Sequence, residues 1–275
     1  MPNENNHDDL LRTHPELPGP AFERLAYIIA RLRAPDGCPW DREQTHATLR
    51  THLLEEACET MAAIEEGDDR HLREELGDLI LQPVLHAQIA SDENRFNIVE
   101  VLNGISDKLV RRHPHVFGEA VAEDSAQVLQ NWDAIKQEEK AERGEVAASV
   151  LDDIPAALPA LAMALKVSKK AAKSGFEWPD IEGVMAKLRE EVDELEADLH
   201  DRDRTAEELG DLLFTAVNIA RWKGINPELA LRDTIRRFTK RFHAMEAGAA
   251  EARMPLAELA PEQWERLWER AKLDE

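Results

Sequence analysis

Two acidic pairs within residues 53–79 constrain this chain more than any other feature. Glu56-Ala57-Cys58-Glu59 and Glu75-Leu76-Gly77-Asp78 share one order: acid, apolar, any, acid. At 3.6 residues per turn, acids three apart lie on one side of a helix, and the apolar residue between them marks the adjoining core-facing stripe. Leu53, Ala57, Thr60, Met61 and Ile64 form that stripe in the first segment, and Leu72, Leu76, Leu79 and Ile80 in the second. Neighbouring helices built this way bring four carboxylates together, which costs free energy unless a cation compensates. The same order returns as Glu191-Val192-Asp193-Glu194 and Glu208-Leu209-Gly210-Asp211, at offsets of 135 and 133 residues. A single Glu-x-x-Glu is commonplace on a solvated helix face. Four of them in two matched sets indicate an internal duplication with a metal site in each half.

Charge narrows the partners. Lys and Arg number 34 against 56 Asp and Glu, a net charge of −22, which argues against nucleic acid or an anionic membrane as a partner. No apolar run reaches the roughly 18 residues of a membrane span, and Met1-Pro2-Asn3-Glu4-Asn5-Asn6 lacks the basic and apolar regions of a signal peptide. The expected location is the cytoplasm. Cys38 and Cys58 are the only cysteines, too few for a disulfide scaffold, and no Cys/His cluster has zinc spacing.

Period-two alternation is absent, so the expected fold is all-α. Helices are expected over 21–33, 46–66, 69–91, from 98 onwards, 125–141, 156–173, 181–200, 205–223 and 231–245, with a last one carrying Trp264 and Trp268. Residues 38–45 read as a turn. Pro83 predicts a bend, and the returning Gly77 and Gly210 predict close helix packing, since an interior Gly costs about 1 kcal/mol against Ala. The domain reading is a tail over 1–19, a helical domain over 20–142, a linker over 143–159 rich in turn formers, and a second helical domain over 160–275.

Carboxylate sets without Cys or His favour a hard cation, Mg²⁺ or Mn²⁺. One helix beyond each set lies a basic run: Lys108, Arg111 and Arg112, then Arg237, Lys240 and Arg241. These side chains are either helix-dipole partners or ligands of a phosphate. Lys187, one turn before Glu191, either salt-bridges the acids or reaches a phosphate. A triphosphate bridging metal and cations satisfies both groups, with the metal orienting an attacking water. Trp40 is either a core plug or a lid that stacks on a ligand ring. His113 and His115 flank Pro114 and are expected to shape a loop rather than bind metal.

The paired acidic elements resemble the signature of the all-α nucleoside triphosphate pyrophosphohydrolases. Together with Cys38-Pro39-Trp40-Asp41-x-x-Gln44-Thr45, Arg111-Arg112-His113-Pro114-His115-Val116-Phe117 and Gly175-Phe176-x-Trp178, they resemble the duplicated, MazG-type form over residues 20–275. The resemblance implies two tandem MazG-type helical bundles, magnesium-dependent cleavage between the α and β phosphates of NTPs and dNTPs, broad base specificity, and an intertwined homodimer with a housekeeping or stress role. It implies Glu191, Glu194, Glu208 and Asp211 as metal ligands and, with Glu190, as the catalytic set. Lys187, Arg237 and Arg241 would hold the phosphates, and Trp268 the nucleotide. In the first half it implies Glu56, Glu59, Glu75 and Asp78 for the metal, with Lys108, Arg112, Trp132 and Trp40 on the nucleotide side. Arg237 departs from the Lys usual at that position, so the phosphate contact there is a guanidinium's. The reading from a different class is a non-catalytic helical interaction protein with structural cation sites and a regulatory protein partner. A third keeps the hydrolase and changes the substrate to a phosphoribosyl nucleotide or an alarmone.

Overall fold

Polar side chains cap the starts of several helices. In a computed structural model describing residues 16–142, 144, 149–251 and 254–273, every regular element is helical and none of the described residues is in a strand. The chain divides into two compact units, Met1–Arg143 and Gly144–Glu275.

The first unit contains α1 (Pro18–Arg33), α2 (Pro39–Glu43), α3 (Leu49–Glu66), α4 (Asp69–Asp92), α5 (Ile98–Arg112), α6 (Pro114–Phe117) and α7 (Ser125–Glu142). Gly67 ends α3 in the left-handed region at φ 71°, and the Asp68 carboxylate accepts from Arg70 N and His71 N to start α4. So short a connection makes α3 and α4 an antiparallel hairpin. Asn97 and Glu100 cap α5 reciprocally as a capping box. The core gathers Ile29 of α1, Leu49 of α3, and Val84, Leu85 and Ile89 of α4, with Phe22, Leu25, Ala26, Leu81 and Ile98 against them.

The second unit contains α8 (Ala160–Lys173), α9 (Ile181–Asp198), α10 (Arg202–Trp222), α11 (Pro227–Glu251), a 3₁₀ turn (Leu256–Glu258) and α12 (Pro261–Leu273). Asp180 caps α9 through Gly183 N, and Asp201 caps α10 through Asp203 N and Arg204 N. Buried Ser168 of α8 donates to Asn218 of α10 at 2.5 Å, while Asn218 Nδ2 donates to Phe214 O at 3.0 Å, so these interior polar groups are satisfied.

Several expectations change. The turn at 38–45 contains the short α2, started by Pro39 in a helix's first turn. Helix α3 begins at Leu49 rather than 46, because Thr45 N donates to Thr48 Oγ1 and Thr48 Oγ1 donates to Gln44 Oε1 in a local turn. Helix α4 runs through Pro83 uninterrupted. Helix α1 starts at Pro18, within the expected tail; residues 1–15 of that tail lie outside the described residues, as do 143 and 145–148 of the expected linker. Gly77 and Gly210 are not close-packing sites within the chain: a Cβ at either meets nothing within 4 Å. Nor does the acidic hairpins' apolar stripe face the core throughout. Leu53, Ile64, Leu76 and Ile80 are exposed, as are Leu209, Leu213 and Phe214. Among the described residues no helix is long and apolar enough to cross a membrane.

Leu49 lies fully buried at the junction of α1, α3 and α4. Leu49→Ala is expected to destabilise the first unit by about 2–4 kcal/mol, read as a lower urea midpoint by circular dichroism.

Candidate metal and phosphate site

On the second acidic hairpin, Glu191 of α9 and Glu208 and Asp211 of α10 offer carboxylate oxygens that all lie within 4.8 Å of one another. Asp211 is exposed, but Glu191 is only 4% exposed. So buried an anion needs a compensating charge, which Lys187 supplies: its Nζ lies 2.9 Å from Glu191, 2.7 Å from Glu190 and 3.8 Å from Glu194. These contacts push the Lys187 pKa upward, the Glu190 hydrogen bond most, so the ammonium stays charged. Glu208 is pushed up by burial first and then by the charge of Glu194, partly opposed by Arg204 at 3.4 Å.

The first unit repeats the layout. Glu56 of α3 and Glu75 and Asp78 of α4 approach within the same 4.8 Å, and Thr60 Oγ1 donates to Glu75 O at 3.3 Å between the two helices. Burial, then Asp78, Glu59 and Glu75, push the Glu56 carboxyl upward. Glu59 and Glu194 stand outside the two trios, yet each adds its field to a member. Both trios present hard oxygen donors under mutual repulsion, and neither contains His or Cys. This donor set fits Mg²⁺ or Mn²⁺.

The basic residues beside the acids differ between the halves, a feature that the acidic motifs alone do not show. His52 stands four residues before Glu56 and His71 four before Glu75, where the second half has Lys187 and Arg204 at the same offsets of 135 and 133. His71 bridges Glu66 at 2.8 Å and Glu75 at 3.2 Å, and the Glu66 hydrogen bond chiefly raises its pKa. His52 lies 3.2 Å from Glu55. The i−4 spacing was the available signal for all four.

The basic runs meet aromatics rather than open solvent alone. Arg112, 7% exposed, lies 4.9 Å from the Trp132 ring centre and donates through Nε and Nη2 to Glu139 of α7. Arg111 Nε donates to the same carboxylate at 2.7 Å. Arg112, then Arg111, holds Glu139 down at about 2. Beside this cluster, Lys108 and Arg111 line a cavity of 440 Å³ with Gly104, Glu139 and Glu142. In the second unit Arg241 lies 5.6 Å from the Trp268 ring, which also packs on Phe238. Arg237 is exposed, its Nη2 donating to Thr234 at 3.1 Å. Trp40, 54% exposed, is no core plug; its ring meets His52 edge-on at 6.1 Å. His113 and His115 flank the start of α6, His113 Nδ1 lying 2.6 Å from Leu109 O.

A cation held by a trio would relieve its repulsion and so act as a folding ligand. Magnesium at a hundred times its dissociation constant is expected to stabilise the protein by about 2.7 kcal/mol, seen as a higher Tm than in chelator. Glu208→Gln should raise the Tm in chelator, where its burial and the Glu194 charge no longer oppose a carboxylate, and diminish the magnesium-dependent rise. Because the folded pKa of Glu208 is raised, its ionisation costs stability as pH climbs above the ordinary carboxylate value. The gain from Glu208→Gln should therefore be largest near neutrality and vanish in acid.

The MazG nucleotide pyrophosphohydrolase domain profile matches residues 44–117 and 180–245, once on each acidic hairpin and the helix after it. The chain is 42% identical over 254 residues to a Thermotoga maritima protein named nucleoside triphosphate pyrophosphohydrolase/pyrophosphatase MazG, covering 92% of this chain and 96% of that one. It is 43% identical over 259 residues to the nucleoside triphosphate pyrophosphohydrolase of Escherichia coli K12, covering 92% and 98%. An uncharacterised Bacillus subtilis protein, YabN, is 45% identical over 255 residues, which make up 91% of this chain and 51% of that protein. With two domain matches and end-to-end similarity of this extent, the chain belongs to the MazG family of nucleotide pyrophosphohydrolases.

Proposed function

We propose that the protein hydrolyses nucleoside triphosphates and their deoxy counterparts to monophosphate and pyrophosphate, in a magnesium-dependent reaction of broad base specificity. The observation that carries this reading is the carboxylate trio Glu191, Glu208 and Asp211 with Lys187 against it. Glu191, Glu194, Glu208 and Asp211 would hold the metal, as would Glu56, Glu59, Glu75 and Asp78 in the first half. Bound there, magnesium supplies neutralisation of phosphate oxygens and a more acidic water.

The chain's own groups do the rest. With the acids compensated otherwise, the Lys187 ammonium turns from the carboxylates to a phosphate oxygen. Glu190 thereby loses its 2.7 Å partner and, exposed beside Glu191, is placed to accept the proton of the attacking water. Attack at the α phosphorus breaks the α–β anhydride bond, and Arg237 and Arg241 hold the departing pyrophosphate. Trp268, carrying Arg241 on its face, packs on the nucleotide. In the first half Lys108 takes the phosphate role, joined by Arg112 where a phosphate displaces Glu139 from it, with Trp132 and Trp40 beside the nucleotide.

A homodimer completes the reading. Gly77 and Gly210 have open space where a Cβ would stand, in helix interiors where Gly is costly, and exposed Leu76, Ile80, Leu209 and Leu213 flank them. A second copy covering these stripes accounts for both features. The reading places the enzyme in the cytoplasm, where nucleoside triphosphates are found.

Phosphorus NMR of the protein with ATP and dTTP should show monophosphate plus pyrophosphate with magnesium and no turnover with chelator; orthophosphate plus diphosphate would overturn the assignment. Asp211→Asn combined with Glu59→Gln should lower turnover at least a hundredfold at unchanged helix content. Sedimentation equilibrium should return twice the chain mass.

A further inference from the structure

Between α8 and α9 the segment Gly175-Phe176-Glu177-Trp178-Pro179 is held in place by one carboxylate. Glu177 pairs with Arg221 of α10 through both oxygens, accepts from Trp222 Nε1 at 3.2 Å and accepts from the backbone N of Trp178 at 2.9 Å. Arg221 Nε also donates to buried Ser168 at 2.7 Å, which anchors the clamp in the unit's interior. The Arg221 guanidinium keeps the Glu177 carboxyl below its ordinary pKa, so the clamp is ionic at neutral pH. Such anchoring leaves the loop's aromatics in a defined place rather than on a free tether.

That place is the start of the acidic helix. A Cβ on Gly183 would meet Trp178 Cδ1 at 3.1 Å, a tight contact, so the indole lies directly against the first turn of α9. Lys187 follows Gly183 by four residues and Glu191 by eight, about 6 and 12 Å along the axis and within roughly 80° of the same side. Along one stripe of α9 the order is therefore aromatic ring, ammonium, buried carboxylate. Gly175, Phe176, Glu177, Trp178 and Pro179 line a cavity of 310 Å³ there, and Phe176 is 78% exposed at its edge. The first unit has an analogous arrangement: the Trp40 ring of the short helix α2, ahead of α3, meets His52, four residues before Glu56.

We propose that Trp178, with Phe176 beside it, is the nucleobase platform of the second unit and sets its tolerance for different bases. The proposal rests on the triphosphate reading above, which puts phosphates at Lys187 and the metal at Glu191; the base then extends towards the N-terminal end of α9. A stacking platform accepts every base because each has a π face. The Glu177 carboxylate is already engaged by Arg221, Trp222 and the Trp178 amide, and the Gly175 and Phe176 amides donate to Ala172 O and Ala171 O, so these groups do not discriminate among bases. Glu177 and Arg221 act as positioning residues.

The test uses the full chain carrying Glu59→Gln to disable the first acid set, and compares Trp178, Trp178→Phe and Trp178→Ala. KM and kcat are measured for ATP, GTP, CTP and dTTP, along with the inhibition constant of inorganic tripolyphosphate, which has no base. Trp178→Ala should raise KM about tenfold for all four with kcat within about twofold, leave tripolyphosphate inhibition unchanged, and be largely rescued by Trp178→Phe. An unchanged KM overturns the platform, and so does an equal loss of nucleotide and tripolyphosphate affinity, which marks a distorted helix. If the full chain with no substitution yields no pyrophosphate, the triphosphate reading fails first, a result distinct from either; if it does and the Glu59→Gln protein does not, the second unit binds no reacting nucleotide and the platform is overturned.

Discussion

Repulsion among carboxylates crowded on two adjacent helices is the constraint to which the rest of each unit answers. Hairpins closed by Gly67-Asp68 and by Asp201 bring α3 against α4 and α9 against α10, so acids from two helices converge with carboxylate oxygens within 4.8 Å of one another. The apolar core that enforces this approach lies beyond the acids, at Ile29, Leu49, Val84 and Ile89 in the first unit. Packing energy there holds together groups that would otherwise separate, the usual relation between a strained functional site and a well-packed scaffold.

The two halves relieve the repulsion differently. Lys187 and Arg204 are permanent cations beside Glu191 and Glu208, whereas His52 and His71 take those positions near Glu55 and Glu75. The loops ahead of the acidic helices are also fastened with reversed polarity. In the first unit Arg33 of α1 donates to Asp92 of α4 and to the carbonyls of Asp41 and Gln44. In the second the cation, Arg221, comes from the later helix and the anion from the loop. Duplication thus preserved the job of pinning an aromatic loop while exchanging the charges that do it. The repeated guanidinium-on-indole contacts, Arg112 with Trp132 and Arg241 with Trp268, are kept in kind.

Much of this was legible in the chain because helices write their environment locally. Acids at i and i+3 and an apolar stripe at period 3.6 need only neighbours in sequence to be read. Boundaries were less legible where side chains compete with the backbone, as Thr45 and Thr48 do before α3. That no part of their own chain packs on Gly77 and Gly210 was not legible, because a packing glycine and a glycine with open space above it look alike in one dimension.

By itself, the sequence determined the all-α class, the duplication, and the acidic tetrads whose oxygen donors would suit a hard cation, since each follows from residue type and spacing along a helix. Tertiary structure decided which three acids of each tetrad converge, that Glu139 occupies both Arg111 and Arg112, and that Trp178 lies on Gly183. Those outcomes depend on how helices far apart in sequence cross and which rotamers their packing allows, and periodicity within one helix carries no information about its neighbour's angle.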